Sequence, residues 1–170
     1  MDKIIGKYYP HIYHCTIKDI IFEESVRNFC KENKCHKYNN SWCCPPAIGE
    51  VSEYIELVKK YSNVVIFYET LECNTLDKEE PYQKMKIFQD KSISLKQELI
   101  ELGYDFLIYG AGTCMICKKC TYPTNPCAHP GKPVISMEAI GMNVFKTLQK
   151  NKLEYPNIPN TMTYYGCIFY

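Results

Sequence analysis

Along the 170-residue chain the spacing of apolar positions changes several times, and each change predicts a new element. Residues 11–17 alternate apolar and polar, the period of a short strand. From 19 to 33, Phe22, Val26, Phe29 and Cys30 recur at helical spacing, and Thr16 with Asp19 makes a capping-box-like start, so a helix is expected there. The stretch 30–46, rich in Asn, Lys and Pro, reads as a loop. An amphipathic helix is expected over 49–61, with Val51, Ile55 and Val58 near one face. The continuous apolar run at 63–69 predicts a strand buried on both faces. Over 80–102, Met85, Phe88, Leu95, Leu99 and Leu102 repeat at three and four, and Gly103 is a good helix stop. A second buried strand is expected over 106–112, a third helix over 136–150 on Ile140, Val144 and Leu148, and a closing strand over 161–170.

The order β-α-β-α-β predicts an α/β fold: a small mixed or parallel sheet with flanking helices and two cysteine-rich cluster-binding loops. With no internal repeat and no long linker, residues 1–170 are expected to form a single metal-binding domain. In open α/β sheets ligand sites lie beyond the carboxyl ends of strands. The second strand ends there in Gly110 and Gly112, just before Cys114, and glycine lets backbone approach a bound group closely.

Composition narrows the function. Twenty basic and 19 acidic residues balance, and Arg27 is the only arginine, which argues against nucleic acid or a membrane surface as partner. No apolar run approaches the roughly 20 residues of a membrane span, and residues 1–10 lack the apolar core of a secretory signal. Eleven cysteines would suit a secreted disulfide framework, but the odd number and the clustering point instead to metal ligands in a reducing cytoplasm.

Cys114, Cys117, Cys120 and Cys127 fall in the pattern C-x2-C-x2-C-x6-C. The even two-residue gaps put three thiolates on one tight loop, as bacterial ferredoxins do for a four-iron cluster. Cys127, after a longer gap, folds back onto the same cluster or serves another. Zinc is the competing metal, but structural zinc sites usually take cysteine pairs from two separate knuckles, and three evenly spaced cysteines fit that scheme poorly.

A second set, Cys30, Cys35, Cys43 and Cys44, forms C-x4-C-x7-C-C-P-P. Neighbouring side chains point in different directions in most backbones, so one of Cys43 and Cys44 is expected to be a ligand. Pro45 and Pro46 stiffen the chain behind Cys44, which favours Cys44, with Cys43 as a neighbour or spare. Cys30, Cys35 and Cys44 then lack a fourth partner, for which Cys43, His36, Cys127, Cys73 and Cys15 are candidates, or else one iron is open to substrate as a Lewis acid. Arg27, one helical turn before Cys30, is either a donor to a cluster or bound anion or a surface residue beside Glu23 and Glu24. Trp42 either shields a cluster or packs in the core, and His129 is a ligand, a donor to one, or a solvated residue. Cys15, Cys73 and Cys167 stand alone and read as small apolar residues.

The two cysteine patterns, with P-V-I-S-M-E-A-I-G-M-N-V-F at 133–145 and T-Y-Y-G at 163–166, resemble the family of predicted metal-binding proteins called domain of unknown function 2284. The resemblance implies that Cys30, Cys35 and Cys44 match the family's first cysteine set and Cys114, Cys117, Cys120 and Cys127 its second. It implies metal binding and carries no reaction. Ser136 is a good N-cap for the third helix, where Glu138 either complements the helix dipole or faces the cluster as an acid–base group.

Three functions remain. The first is a redox module passing electrons between two four-iron clusters and a partner protein. The second is an enzyme whose open iron at Cys30, Cys35 and Cys44 binds a small anionic or sulfur-containing substrate. The third is a structural zinc or metal-carrier protein.

Overall fold

The computed structural model describes residues 1–170. Five strands make one mixed sheet: β1 (His11–Thr16), β2 (Asn63–Glu72), β3 (Leu107–Gly110), β4 (Ile135–Ser136) and β5 (Thr161–Phe169), in the spatial order β1-β2-β5-β3-β4. The helices are α1 (Asp2–Ile5), α2 (Arg27–Lys31), α3 (Val51–Val58), α4 (Glu80–Glu101) and α5 (Val144–Lys150). The α/β fold with a mixed sheet is therefore as expected. Only β3 and β4 run parallel, and every other pairing is antiparallel.

The sheet is the middle of three layers because its central strands are apolar at successive positions. Val64 and Ile66 of β2 join Tyr165, Cys167 and Phe169 of β5 on one face, under Val58 of α3 and Leu148 of α5. Val65 and Phe67 join Tyr164 and Ile168 on the other, under Ile5 of α1 and Phe88, Leu95 and Leu99 of α4. Burying each such side chain contributes roughly 1.5–3 kcal/mol. Along α4 the predicted stripe holds except at its end, where Leu102 is exposed. Gly103 follows with φ +74°, a left-handed stop that glycine adopts without strain. No helix is long and apolar enough to cross a membrane.

Two predicted helices are shorter than their periodicity. Over 19–33, Ile17–Asp19 and Glu24–Val26 form single 3-10 turns, and only α2 is α-helical. Asp19 does cap the first turn, its Oδ2 accepting from the Thr16 amide at 3.0 Å and hydroxyl at 2.7 Å. Phe22 is drawn out of helix into an antiparallel bridge with Met142. Over 136–150, Ser136 belongs to β4 and the helix starts only at Val144, capped by Asn143, whose Oδ1 accepts from the Lys146 amide at 3.0 Å. Gly141 explains the delay. Its φ is +83°, and a Cβ there would lie 2.6 Å from Val51 Cγ1, so close packing on α3 holds the segment as a turn.

Candidate metal centres

The loop from 111 to 133 leaves the carboxyl end of β3 and returns to β4 beside it, and the longest helix fixes both its ends. Gln89 of α4 donates through Nε2 to the carbonyls of Ala111 (2.9 Å) and Thr113. Two turns on, Lys96 donates through Nζ to the carbonyls of Gly131 (2.5 Å) and Pro133 (2.9 Å). Gly112, at φ +72°, passes so close to Met85 that a Cβ would meet its Sδ at 1.9 Å. Neither anchor was foreseen. Gln89 did leave a signal, as a polar residue on the apolar stripe of α4, where a buried amide needs partners.

The 30–46 loop is shaped by its own polar residues. Asn33, His36 and Asn39 all have positive φ, and the Asn33 side chain accepts from the Tyr38 amide at 3.0 Å. Asn39 donates its amide to the Pro45 carbonyl at 2.8 Å, and the Cys43 amide donates to Ser41 Oγ at 3.2 Å.

Aromatic contacts join the two loops. Trp42 donates its indole N–H to the Asn125 carbonyl at 3.0 Å and meets the Tyr122 ring edge-on, 4.8 Å between centroids. Tyr122 donates its hydroxyl to Asn39 Oδ1 at 2.9 Å. Beneath them the Cys44 thiol lies 3.7 Å from Thr113 Oγ1.

This docking gathers the cysteines into two groups. Cys114, Cys117, Cys120 and Cys127 line one narrow cavity together with Lys37, Trp42 and His129. Cys43 completes its wall. The Cys43 thiol lies beside Cys114, and that interaction together with burial raises Cys43 well above the ordinary thiol value. The same interaction, helped by a backbone amide and by Lys37, holds Cys114 below the ordinary thiol value. At Cys127, the His129 amide donates to the sulfur at 3.4 Å.

Cys30, Cys35 and Cys44 are the second group. Burial and then its neighbours Cys44, Glu138 and Cys35 raise the Cys30 thiol. Burial raises Cys44 too, opposed by its hydrogen bonds to Thr113 and Ser41. Cys35 is exposed at the rim. Of the candidate fourth partners, Cys43 and Cys127 face the other cavity, Cys15 sits on β1, and Cys73 lies past the end of β2 with its amide on the Asn160 carbonyl. His36, next to Cys35, remains exposed.

Arg27 is not a surface residue. It is buried, with Nε donating to the Ala139 carbonyl at 2.8 Å, Nη2 to the Gly49 carbonyl at 2.6 Å, and Nη1 3.7 Å from Glu50. It clamps α2, and so Cys30, to two other segments. Glu138 keeps some surface as a residue, yet its carboxyl is enclosed enough for desolvation to raise its pKa. With Val26, Met142 and Tyr155, and with the exposed rings of Phe29 and Phe145, it lines an apolar groove. The remaining cysteines, Cys15, Cys73 and Cys167, pack as apolar residues, Cys167 with its sulfur 3.9 Å from Met142 Sδ.

No three His, Cys, Asp or Glu side chains close on one point at ion-ligating separation. A family model described as predicted metal-binding protein (DUF2284) matches residues 14–170. No curated protein sequence and no solved structure matches.

Proposed function

The chain belongs to that family of predicted metal-binding proteins, and on this premise we propose that it is an iron–sulfur protein acting as a small redox module. Cys114, Cys117, Cys120 and Cys127 hold one four-iron cluster, and Cys30, Cys35 and Cys44 hold a second. The carrying observation is the cavity into which the whole C-x2-C-x2-C-x6-C run turns its thiols. Its lining offers sulfur donors and no carboxylate, a soft set suited to iron–sulfur or zinc and unsuited to magnesium or calcium. The even two-residue spacing of the first three cysteines favours iron–sulfur over a single tetrahedral ion.

When bound, such clusters supply one-electron transfer. The chain's own residues would set how it happens. Trp42 forms part of the wall of the first cavity and packs edge-on against Tyr122, and backbone N–H donors such as that of His129 stabilise negative charge on sulfur. The whole of 1–170 acts as one metal-binding domain in a reducing cytoplasm, and the electron donor or acceptor is a partner protein.

A second reading is favoured by the groove beside Cys30. There a carboxyl held toward its neutral form, Glu138, stands at the foot of an apolar wall close to Cys30. An enzyme taking a small anionic or sulfur-containing substrate at that site would use such a group as a proton donor.

The deciding experiment is iron, sulfide and zinc content of protein purified without oxygen. About eight irons and eight sulfides per chain are expected for two four-iron clusters. Zinc without sulfide would overturn the redox proposal and leave a structural or metal-carrier role.

A further inference from the structure

The structure parts two neighbouring residues between the two groups. Cys43 lines the cavity of Cys114, Cys117, Cys120 and Cys127, whereas Cys44 lies with Cys30 and Cys35 and against Thr113. The reason is local. Ser41 Oγ accepts from the Cys43 amide and the Ser41 carbonyl from the Cys44 amide, a tight turn that presents successive side chains to opposite sides. Both residues are buried, at 8% and 9% exposure, so neither thiol has solvent as an alternative partner.

We infer that Cys43 is a metal-ligating residue of the Cys114 centre, and that the Cys43–Cys44 peptide straps the two metal centres side by side. This rests on the iron–sulfur reading above. A four-iron cluster takes one outside thiolate per iron, so Cys43 ligates in exchange with Cys114, the thiol beside it, rather than as a fifth ligand, and the chain's C-C-P-P run gains a role that a spare cysteine would not have. The Cys43–Cys44 bond is not among the cis peptides, which are Pro45-Pro46 and Tyr122-Pro123. Consecutive Cα atoms are then about 3.8 Å apart and each sulfur reaches about 2.8 Å from its Cα, so the two sulfurs are separated by at most about 9 Å. Two paramagnetic centres ligated by those sulfurs broaden and split each other's EPR signals. An electron arriving at one centre has one covalent path of eight atoms, sulfur to sulfur, to the other, the first being oxidised as the second is reduced.

The test uses the full chain purified without oxygen and reduced with dithionite, its iron and sulfide counted alongside the EPR spectrum. Wild-type protein with both centres filled is expected to give a split, interaction-broadened spectrum. Cys44→Ser is expected to lose about half the iron and to leave one narrow, unsplit signal from the Cys114 centre. Cys43→Ser is expected to shift or abolish the signal of the Cys114 centre, with the Cys30 centre retained. Full iron and sulfide with two narrow, independent wild-type signals would overturn the strap while leaving the redox module standing, and that measurement needs no variant to fold. A Cys43→Ser protein with unchanged iron and spectrum would overturn Cys43 as a ligand. Absence of sulfide would overturn the iron–sulfur reading and the strap with it.

Discussion

The two cysteine groups are built by opposite means. The Cys114 group hangs from the end of β3 and is held to α4 at both ends of its loop, through Gln89 and Lys96. The Cys30 group rests on a helix of five residues, three positive-φ positions and the clamp of Arg27, and it leaves Cys35 exposed. A site attached to the sheet inherits the rigidity of the core. A site attached to short turns inherits little and must be held by individual polar contacts. The first design suits a centre that changes little as it works, and the second suits one that meets other molecules.

That contrast breaks most visibly if the core beneath the first group is hollowed. Phe88→Ala is expected to cost about 3–5 kcal/mol in urea unfolding, since Phe88 is fully buried and packs at Gly110, directly before the loop. The first centre should then release iron to a chelator faster, with the second unchanged. If both are affected equally, the two sites are not mechanically separate.

Arg27→Met is the converse. Losing charge-assisted hydrogen bonds to two backbone carbonyls is expected to cost about 2–3 kcal/mol and to loosen the Cys30 centre selectively. Gln89→Ala is expected to cost about 1–3 kcal/mol by leaving the Ala111 and Thr113 carbonyls without their donor. Its effect on chelator release should fall on the Cys114 centre alone.

The smallest effects are in pH dependence, and around the second group they have opposite signs. Lys146 and Asn143 hold the Glu23 carboxyl below its ordinary pKa. Its stabilisation is present above the unfolded value, about 4.3, and is lost as pH falls through the lower folded value. Glu138 is raised by burial, so its contribution is complete below about pH 4.3 and is lost as pH rises toward the folded value. Glu23→Gln should flatten the acid limb of a stability–pH curve of metal-free protein, and Glu138→Gln the limb above it. A Glu138→Gln protein with an unchanged curve would place that carboxyl in water and weaken the enzyme reading.

Much of the fold was legible because strands and α4 announce themselves through runs of apolar residues. Val64 to Phe67 could only be a strand buried on both sides, and Phe88, Leu95 and Leu99 could only be one helix face. The helices expected at 19–33 and 136–150 failed where a long-range contact outweighed local spacing: the Phe22–Met142 bridge in one, the close approach of Gly141 to Val51 in the other. At the metal centres, spacing identified the cysteine sets but could not tell which way Cys43 turns, because that depends on Ser41 and on a loop 70 residues away. The clamp of Arg27 was hidden for the same reason, its partners being backbone carbonyls of Gly49 and Ala139 that no side-chain pattern marks.

The place of β5 in the middle of the sheet has a consequence for synthesis. It pairs with β2 on one side and β3 on the other, yet it comes last in order among the strands. While a ribosome is still making it, the sheet exists only as two unjoined halves, β1–β2 and β3–β4. A chain cut before Thr161 is therefore expected to leave the two halves unjoined and both cysteine loops on an unfinished core.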